Sequence, residues 1–147
     1  MFKNILIPTD GSELSRQAAA QAITLAKRTG SKVTAFHVAP PYSFHMYEEY
    51  IPPDFVRPAE YEAQVAKTAE RYLEPIRKMA AEAAVAFEGH HTTRAVPAEA
   101  IVEAAQKYGC DSIAMGSHGR GAVGTLLLGS QTQKVLASAK IPVLVVR

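Results

Sequence analysis

The sequence has a single cysteine and no long hydrophobic run. Cys110 therefore has no partner for an internal disulfide, and no CxxC pair or similar spacing indicates a metal site. No segment approaches the roughly 18 consecutive apolar residues that a membrane-spanning helix requires. The first residues, MFKNILIPTDGS, form a short apolar run that Pro8 and Gly11 interrupt, unlike a secretory signal. We therefore expect a cytoplasmic protein with no membrane span.

Acidic side chains are absent after Asp111. Residues 112–147 contain two arginines and two lysines but no Asp or Glu, so this segment carries a charge of +4. The whole chain has a net charge of only +2, which is too small to predict binding to nucleic acid. The local excess of positive charge suits an anionic ligand, and a set of solvated surface cations is the alternative interpretation.

The remaining composition is ordinary for one globular domain. The chain has 147 residues, of which 48% are hydrophobic and 20% are charged. The predicted strands are Phe2–Ile7, Lys32–Val38, Gly89–Val96, Ser112–Met115 and Pro142–Val146, and the predicted helices are 12–29, 58–86, 97–108 and 130–139. Ser12 or Asp10 is expected to cap the first helix and Gly30 to end it. Pro75 is expected to kink or split the second helix.

Strands that alternate with helices predict βαβ units. We expect a single-domain α/β fold, an open parallel five-stranded sheet of order 3-2-1-4-5 with helices on both faces, which is a Rossmann-like architecture. In such sheets, ligands bind beyond the carboxyl ends of the strands, at the point where the strand order reverses. The loops formed by residues 8–12 and 116–130 are expected to meet there.

Five of the nine glycines lie within residues 115–135. Glycine is unfavourable inside helices and strands, so this density predicts a backbone that turns or that is approached closely. Residues 119–124 match GxGxxG, but the dinucleotide fingerprint opens the first βαβ unit and needs an acidic residue about 20 positions later. Here the match lies near the C-terminus and no acidic residue follows Asp111, so this fingerprint is excluded. A P-loop is excluded as well, because Ser130-Gln131 follows Gly129 where Lys-Ser/Thr is required.

A third pattern fits the glycines. The spacing Gly116-x2-Gly119-x9-Gly129-Ser130, directly after a strand and opening a helix, resembles the nucleotide-binding signature of the universal stress protein family. The segments ILIPTDGS, YGCDSIAMGSHGR and LLLGSQTQKVLASAKIPVLVVR, with a second strand that ends in HV, resemble that family in the same order. The likeness therefore covers almost the whole chain.

The resemblance implies a function. Members of the family that keep these glycines generally bind ATP, so we expect a stress-response regulator that holds ATP, with Mg²⁺, and hydrolyses it little or not at all. The family commonly dimerises through its last strand, here Pro142–Val146, and the edge position of that strand favours such pairing. A regulatory protein partner is also expected.

Elementary chemistry supports the same site. Gly116 and Gly119 allow the main chain to approach a ribose and phosphates, since no Cβ intervenes. Gly129 and Ser130 precede a helix, where free amides and the helix dipole favour an anion. The hydroxyls of Ser130 and Thr132 can add hydrogen bonds to phosphate oxygens.

Further contacts are implied by the resemblance alone. Pro8, Thr9 and Asp10 match the loop that flanks the nucleotide, with Asp10 at the ribose or the metal. Val38 matches a position whose backbone contacts adenine, and Met115 matches a residue that packs near the nucleotide. The alternative interpretations are a helix cap for Asp10 and ordinary core positions for Val38 and Met115.

The predicted binding set includes four more residues, Ser117, His118, Arg120 and Gln131. His118 and Arg120 are candidate phosphate donors or solvated loop residues, and Gln131 departs from the family, in which an apolar residue often follows Gly-Ser. The full predicted set is Pro8, Thr9, Asp10, Val38, Met115, Gly116, Ser117, His118, Gly119, Arg120, Gly129, Ser130, Gln131 and Thr132. No catalytic residue is predicted, and the metal ligands are left open.

Other notable residues receive simpler interpretations. His37 is expected to be a satisfied histidine within the sheet, and Cys110 a small buried hydrophobic residue. His90 and His91 are adjacent on a strand, so they point to opposite faces and cannot chelate one metal together. Residues 39–57 contain five aromatic residues and form a long insertion, for which a ligand cover, a subunit contact and a partner-docking segment all stay open.

Two rival functions remain at this point. One is a slow ATPase or a nucleotidyl-transfer enzyme on the same scaffold, which would need a carboxylate or histidine at the phosphates. The other is an interaction module without nucleotide, against which the intact glycines argue.

Overall fold

The computed structural model describes residues 2–43, 55–119 and 128–147. Within these ranges the chain forms one five-stranded parallel sheet of order β3-β2-β1-β4-β5, so the predicted α/β architecture and strand order are confirmed. The strands are β1 (Asn4–Pro8), β2 (Lys32–Ala39), β3 (Phe87–Thr93), β4 (Ser112–Gly116) and β5 (Val143–Val146). The helices are α1 (Glu13–Thr29), α2 (Pro58–Glu82), α3 (Pro97–Lys107) and α4 (Ser130–Ser138).

Helices cover both faces of the sheet. On one face, Ile5 and Ile7 of β1 pack with the buried sides of α1 and α2. On the other face, Leu6 packs with α3 and with Val135 of α4. The three consecutive residues of β1 are therefore all buried, as expected for a central parallel strand that is covered on both sides. No helix of the described residues is both long enough and apolar enough to span a membrane.

The ends of α1 confirm two predictions made from the sequence. The Ser12 side chain accepts a hydrogen bond from the backbone N–H of Ser15 at 3.2 Å, as a helix N-cap does. Gly30 ends the helix with φ +70°, a left-handed conformation that favours glycine.

The second helix is continuous, so Pro75 does not split it, and the alternative expectation of a kink stays a prediction. Pro75 removes one backbone hydrogen bond, but Leu73 and Ile76 on either side of it are both buried in the same core. Residues on both sides of Pro75 therefore pack in the same hydrophobic core. The helix ends at Glu82 rather than at residue 86, and Ala84 follows with φ +56°.

The third strand differs from its predicted bounds. It runs from Phe87 to Thr93, not from Gly89 to Val96. Its residues pair one by one with β2, from Val33↔Phe87 to Ala39↔Thr93. The extent of β3 is therefore set by its partner strand, which local sequence patterns do not report.

A single carboxylate joins β4 to the start of β1. Asp111 accepts hydrogen bonds from the backbone N–H of Lys3 at 2.8 Å and of Asn4 at 3.3 Å. Partial burial alone would raise the pKa of Asp111, but these backbone donors outweigh it, so the pKa of Asp111 lies below its usual value. The ionised carboxylate thus stabilises the junction of the two strands.

We predict that Asp111→Asn lowers the free energy of unfolding by about 1 kcal/mol near neutral pH, because two backbone donors lose a charged acceptor. Since the pKa of Asp111 is lower in the folded state, its contribution is present above about pH 4 and is lost as the pH falls through the folded-state value. Urea unfolding at neutral and at acid pH measures the difference between wild type and variant, which should close in acid.

The control for this measurement is Glu62→Gln, at an exposed position on α2. This change removes the same kind of charge without touching the strand junction. A difference between wild type and Asp111→Asn that is equally large in acid would contradict the prediction.

Candidate functional site

A cavity of about 350 Å³ opens where the carboxyl ends of β1, β2 and β4 face the first turns of α3 and α4. Predicted site residues that line it are Pro8, Thr9, Asp10, Val38, Met115, Gly116, His118, Gly119, Gly129, Ser130, Gln131 and Thr132. The structure therefore brings together two segments that lie more than one hundred positions apart in sequence. Of the remaining predicted residues, Arg120 lies outside the described residues, and Ser117 does not line the cavity.

Ser117 instead connects the loop after β4 to β5 and to the residue before α4. Its backbone N–H donates to the carbonyl oxygen of Val146 at 2.7 Å, and its own carbonyl oxygen accepts from Gly129 N–H at 2.7 Å. Its hydroxyl lies 3.1 Å from Nδ1 of His118. His118 therefore has an adjacent polar partner, which orients the imidazole at the cavity.

The loop after β1 is built on hydroxyl and carboxylate hydrogen bonds. The Thr9 hydroxyl lies 3.1 Å from the hydroxyl of Ser15 and accepts from Gly11 N–H at 3.2 Å. Oδ1 of Asp10 accepts from Ser12 N–H at 2.9 Å, so this carboxylate stabilises the turn into α1. Ser12 is therefore the N-cap of α1, Asp10 stabilises the turn before it, and the Asp10 carboxylate also borders the cavity.

Gly11 shows why this loop needs glycine. Its φ is +76°, and a Cβ at this position would overlap the Tyr72 ring. Both the backbone conformation and the close approach of the ring exclude a larger residue. The loop is thereby held against α2.

A buried histidine fixes the same loop from the sheet. Nδ1 of His37 lies 2.8 Å from the carbonyl oxygen of Thr9, and since a carbonyl only accepts, the proton must reside on Nδ1. The His37 ring meets the ring of Tyr72 edge-on at 5.0 Å. The prediction that His37 is a satisfied histidine within the sheet is confirmed.

The three glycines of the motif allow segments of the protein to approach one another. A Cβ on Gly129 would lie 3.0 Å from Cα of His118, and one on Gly116 would lie 3.0 Å from Cγ of Leu14. A Cβ on Gly119 would overlap Oδ2 of Asp10. The sequence analysis predicts that the space beside these glycines accommodates a ligand. In the structure, the atoms nearest to each added Cβ belong to the protein itself. The glycines therefore shape the loop before any ligand is considered.

The start of α4 is tied to two other elements. The Thr132 hydroxyl donates to the carbonyl oxygen of Gly116 at 3.0 Å, so in this arrangement its proton is directed into the protein rather than into the cavity. Oε1 of Gln131 accepts from the N–H of Ala98 in α3 at 3.0 Å. The helical hydrogen bonds begin with Gln133 N–H donating to Gly129, which leaves the earlier amides without helical partners.

Four cavity-lining residues were missed by the sequence interpretation: Ser15, Phe36, Pro97 and Ile101. Phe36 precedes Val38 by two positions, so strand alternation places both on one face and supplies a usable signal. Ile101 follows Pro97 by one helical turn, but only the packing of α3 against the sheet brings that face to the cavity.

The ionisable side chains that line the cavity, among the described residues, are Asp10 and His118. No group of three or more His, Cys, Asp or Glu side chains suited to a metal ion occurs in the described part of the chain. The cavity thus combines one carboxylate, one imidazole, a helix start and an apolar wall.

A second cavity of about 400 Å³ lies between β3 and α3. Its guanidinium, from Arg94, is paired with both carboxylate oxygens of Glu103 at 2.7 and 3.1 Å. Its volume is similar, but no glycine is found among the described residues that line it, and the charge of Arg94 is neutralised by Glu103. The cavity at the carboxyl ends of the strands is therefore the stronger candidate.

Comparison with known proteins gives a consistent picture. The model of the universal stress protein family matches residues 1–147. A universal stress protein of Thermus aquaticus is 39% identical over 151 residues, which cover 100% of both chains. Over the full length, this chain is thus similar to a protein of that family.

Solved structures share the fold. The hypothetical protein MJ0577 superposes with a TM-score of 0.78 at 27% identity, covering 99% of this chain and 96% of that one. A universal stress protein in complex with cAMP gives 0.72 at 23% identity, with 99% and 97% covered. A universal stress protein from Archaeoglobus fulgidus in complex with dAMP gives 0.67 at 19% identity, with 100% of both covered. The last two likenesses establish the fold alone.

Proposed function

The chain belongs to the universal stress protein family, and from this premise we propose that it binds ATP, with Mg²⁺, in the cavity at the carboxyl ends of the strands. In this proposal it acts as a cytoplasmic, nucleotide-responsive regulator and signals to a protein partner. The observation that carries the proposal is the meeting of the β1 loop and the glycine motif around one cavity.

The two sides of the cavity suit the two ends of a nucleotide. Val38, Ile101 and Met115 supply an apolar side for a purine base, while Ser130 begins a helix whose free amides attract phosphate. A volume of about 350 Å³ lies in the range of small-ligand sites. The fold relatives that hold cAMP and dAMP support an adenine nucleotide as the ligand.

The residues present fit a magnesium ion held chiefly by phosphate. Mg²⁺ usually keeps several waters and binds one or two carboxylates together with substrate phosphates. Asp10 supplies one carboxylate at the cavity. When bound, Mg²⁺ would neutralise part of the triphosphate charge, and Asp10 is the carboxylate among the described lining residues that would hold it.

The described site is better suited to holding a triphosphate than to splitting it. Hydrolysis needs an oriented water and charge stabilisation in the transition state. Asp10 is already engaged with Ser12, and residues 112–147 contain no carboxylate. Among the described residues that line the cavity, His118, whose imidazole lies beside the Ser117 hydroxyl, is a candidate base for the alternative function, a slow ATPase or nucleotidyl-transfer enzyme.

The last strand offers an edge for a second copy. β5 pairs with β4 on one side and lies at the end of the sheet. Leu144 of this strand is 44% exposed, and β5 contains no charged residue. An uncharged apolar edge favours strand pairing between copies, so we propose a homodimer through Pro142–Val146.

We predict that Gly129→Val lowers the affinity for ATP at least about tenfold, since the new side chain presses on His118 and displaces the glycine motif at the start of α4. Calorimetric titration with ATP and Mg²⁺ measures the change. Gly89→Ala, on β3, is the control, because its Cβ would meet side-chain atoms of Phe87 and Leu73 rather than backbone, and Gly89 does not line the cavity. Unchanged affinity in a folded Gly129→Val variant would refute the assignment.

ATP turnover should stay below about 1 s⁻¹, the lower end of ordinary enzymes, because ground-state binding alone does not accelerate chemistry. A phosphate-release assay on protein free of contaminating ATPases measures it. Faster turnover that Asp10→Asn or His118→Ala abolishes would instead establish an enzyme.

For the dimer, Leu144→Lys should yield monomer in light scattering at micromolar concentration, because a buried lysine at the strand edge opposes pairing. Leu136→Lys is the control: Leu136 is 41% exposed but lies on α4. A monomeric wild type, or equal dissociation by both variants, would contradict pairing through β5.

A further inference from the structure

Helix α3 lacks a local cap. Its N-cap residue is Val96, whose side chain has no hydrogen-bonding atom, and its first residue, Pro97, has no N–H. The N–H of Ala98 is instead satisfied by Oε1 of Gln131, which lies 33 positions later in the chain. The cap of α3 therefore comes from the first turn of α4.

This hydrogen bond fixes the orientation of the Gln131 amide. Because the N–H of Ala98 is a donor, the atom that faces it must be the oxygen, and Nε2 is left with two protons to donate. Within residues 2–43, 55–119 and 128–147, Nε2 of Gln131 has no hydrogen-bond acceptor. Gln131 also lines the cavity, between Ser130 and Thr132.

We propose that Gln131 makes the cavity prefer a phosphorylated ligand, because the oxygen and the nitrogen of its side-chain amide form two different hydrogen bonds. Oε1 holds the start of α3, which carries the Pro97 and Ile101 wall of the cavity, and Nε2 donates a hydrogen bond to a phosphate oxygen of the bound nucleotide. The inference rests on the proposed function, since it concerns the same cavity. It couples the phosphate end of the ligand to the position of the apolar wall.

Two substitutions separate the two tasks. Gln131→Glu keeps an oxygen for Ala98 N–H, at a helix start that favours negative charge, but it replaces the donor with an anion. Gln131→Met keeps the length of the side chain and removes both functions. Gln133→Glu is the matched control, because the exposed Gln133 amide on the same helix donates to Leu128 and does not line the cavity.

The experiment combines calorimetry with ATP and with adenosine and amide hydrogen exchange at Ala98 in the ligand-free protein. In Gln131→Glu we expect Ala98 to stay protected, ATP affinity to fall about tenfold or more, and adenosine affinity to stay unchanged. In Gln131→Met, protection of Ala98 should be lost. Gln133→Glu should change neither affinity by more than about twofold.

The outcomes distinguish a failure of the proposed function from a failure of the role assigned to Gln131. A wild type that binds neither ATP nor adenosine refutes the proposed function, and the phosphate role of Gln131 with it. If the wild type binds ATP, three results overturn only the assignment of Gln131: equal losses for ATP and adenosine in Gln131→Glu, equal losses in Gln131→Glu and Gln133→Glu, or an unprotected Ala98 in the wild type.

Discussion

The parallel pairing of β1 with β4 is the constraint on which the site depends. The chain builds β2 and β3 on one side of β1 and β4 and β5 on the other, so the strand order reverses between β1 and β4. The register Ile5↔Ser112 and Leu6↔Ile113 then brings the ends of both strands to the same edge. The loops that follow must diverge to opposite faces, and the space between them is the cavity. Asp111 stabilises this junction through the backbone of Lys3 and Asn4.

Around that junction, hydrogen bonds between polar groups hold the loops in place. His37 from the sheet and Ser15 from α1 both bind Thr9, and Ser117 joins the glycine motif to the end of β5. Buried polar groups are costly unless they are paired, so these hydrogen bonds restrict the loops to a narrow set of positions. A preformed site of this kind binds a ligand with little loss of conformational freedom.

Sequence patterns predicted the fold and most of the cavity because their signals are local. Helix caps such as Ser12, alternating strands and the glycine spacing each depend on near neighbours in the chain. Two of the failures are tertiary in origin: the bounds of β3 follow from pairing with β2, and α2 continues through Pro75 because the neighbours of Pro75 are buried. The Gln131–Ala98 hydrogen bond spans 33 positions, so no local pattern reports it.

The central claim, that an adenine nucleotide occupies the cavity between the β1 loop and the glycine motif, is tested most directly by the amide NMR spectrum during titration with ATP and Mg²⁺. The account predicts the largest shift changes at Thr9, Val38, Gly116 and Ser130, at both ends of the cavity. No change at these amides, or changes confined to the second cavity at Thr92 and Lys107, would contradict it.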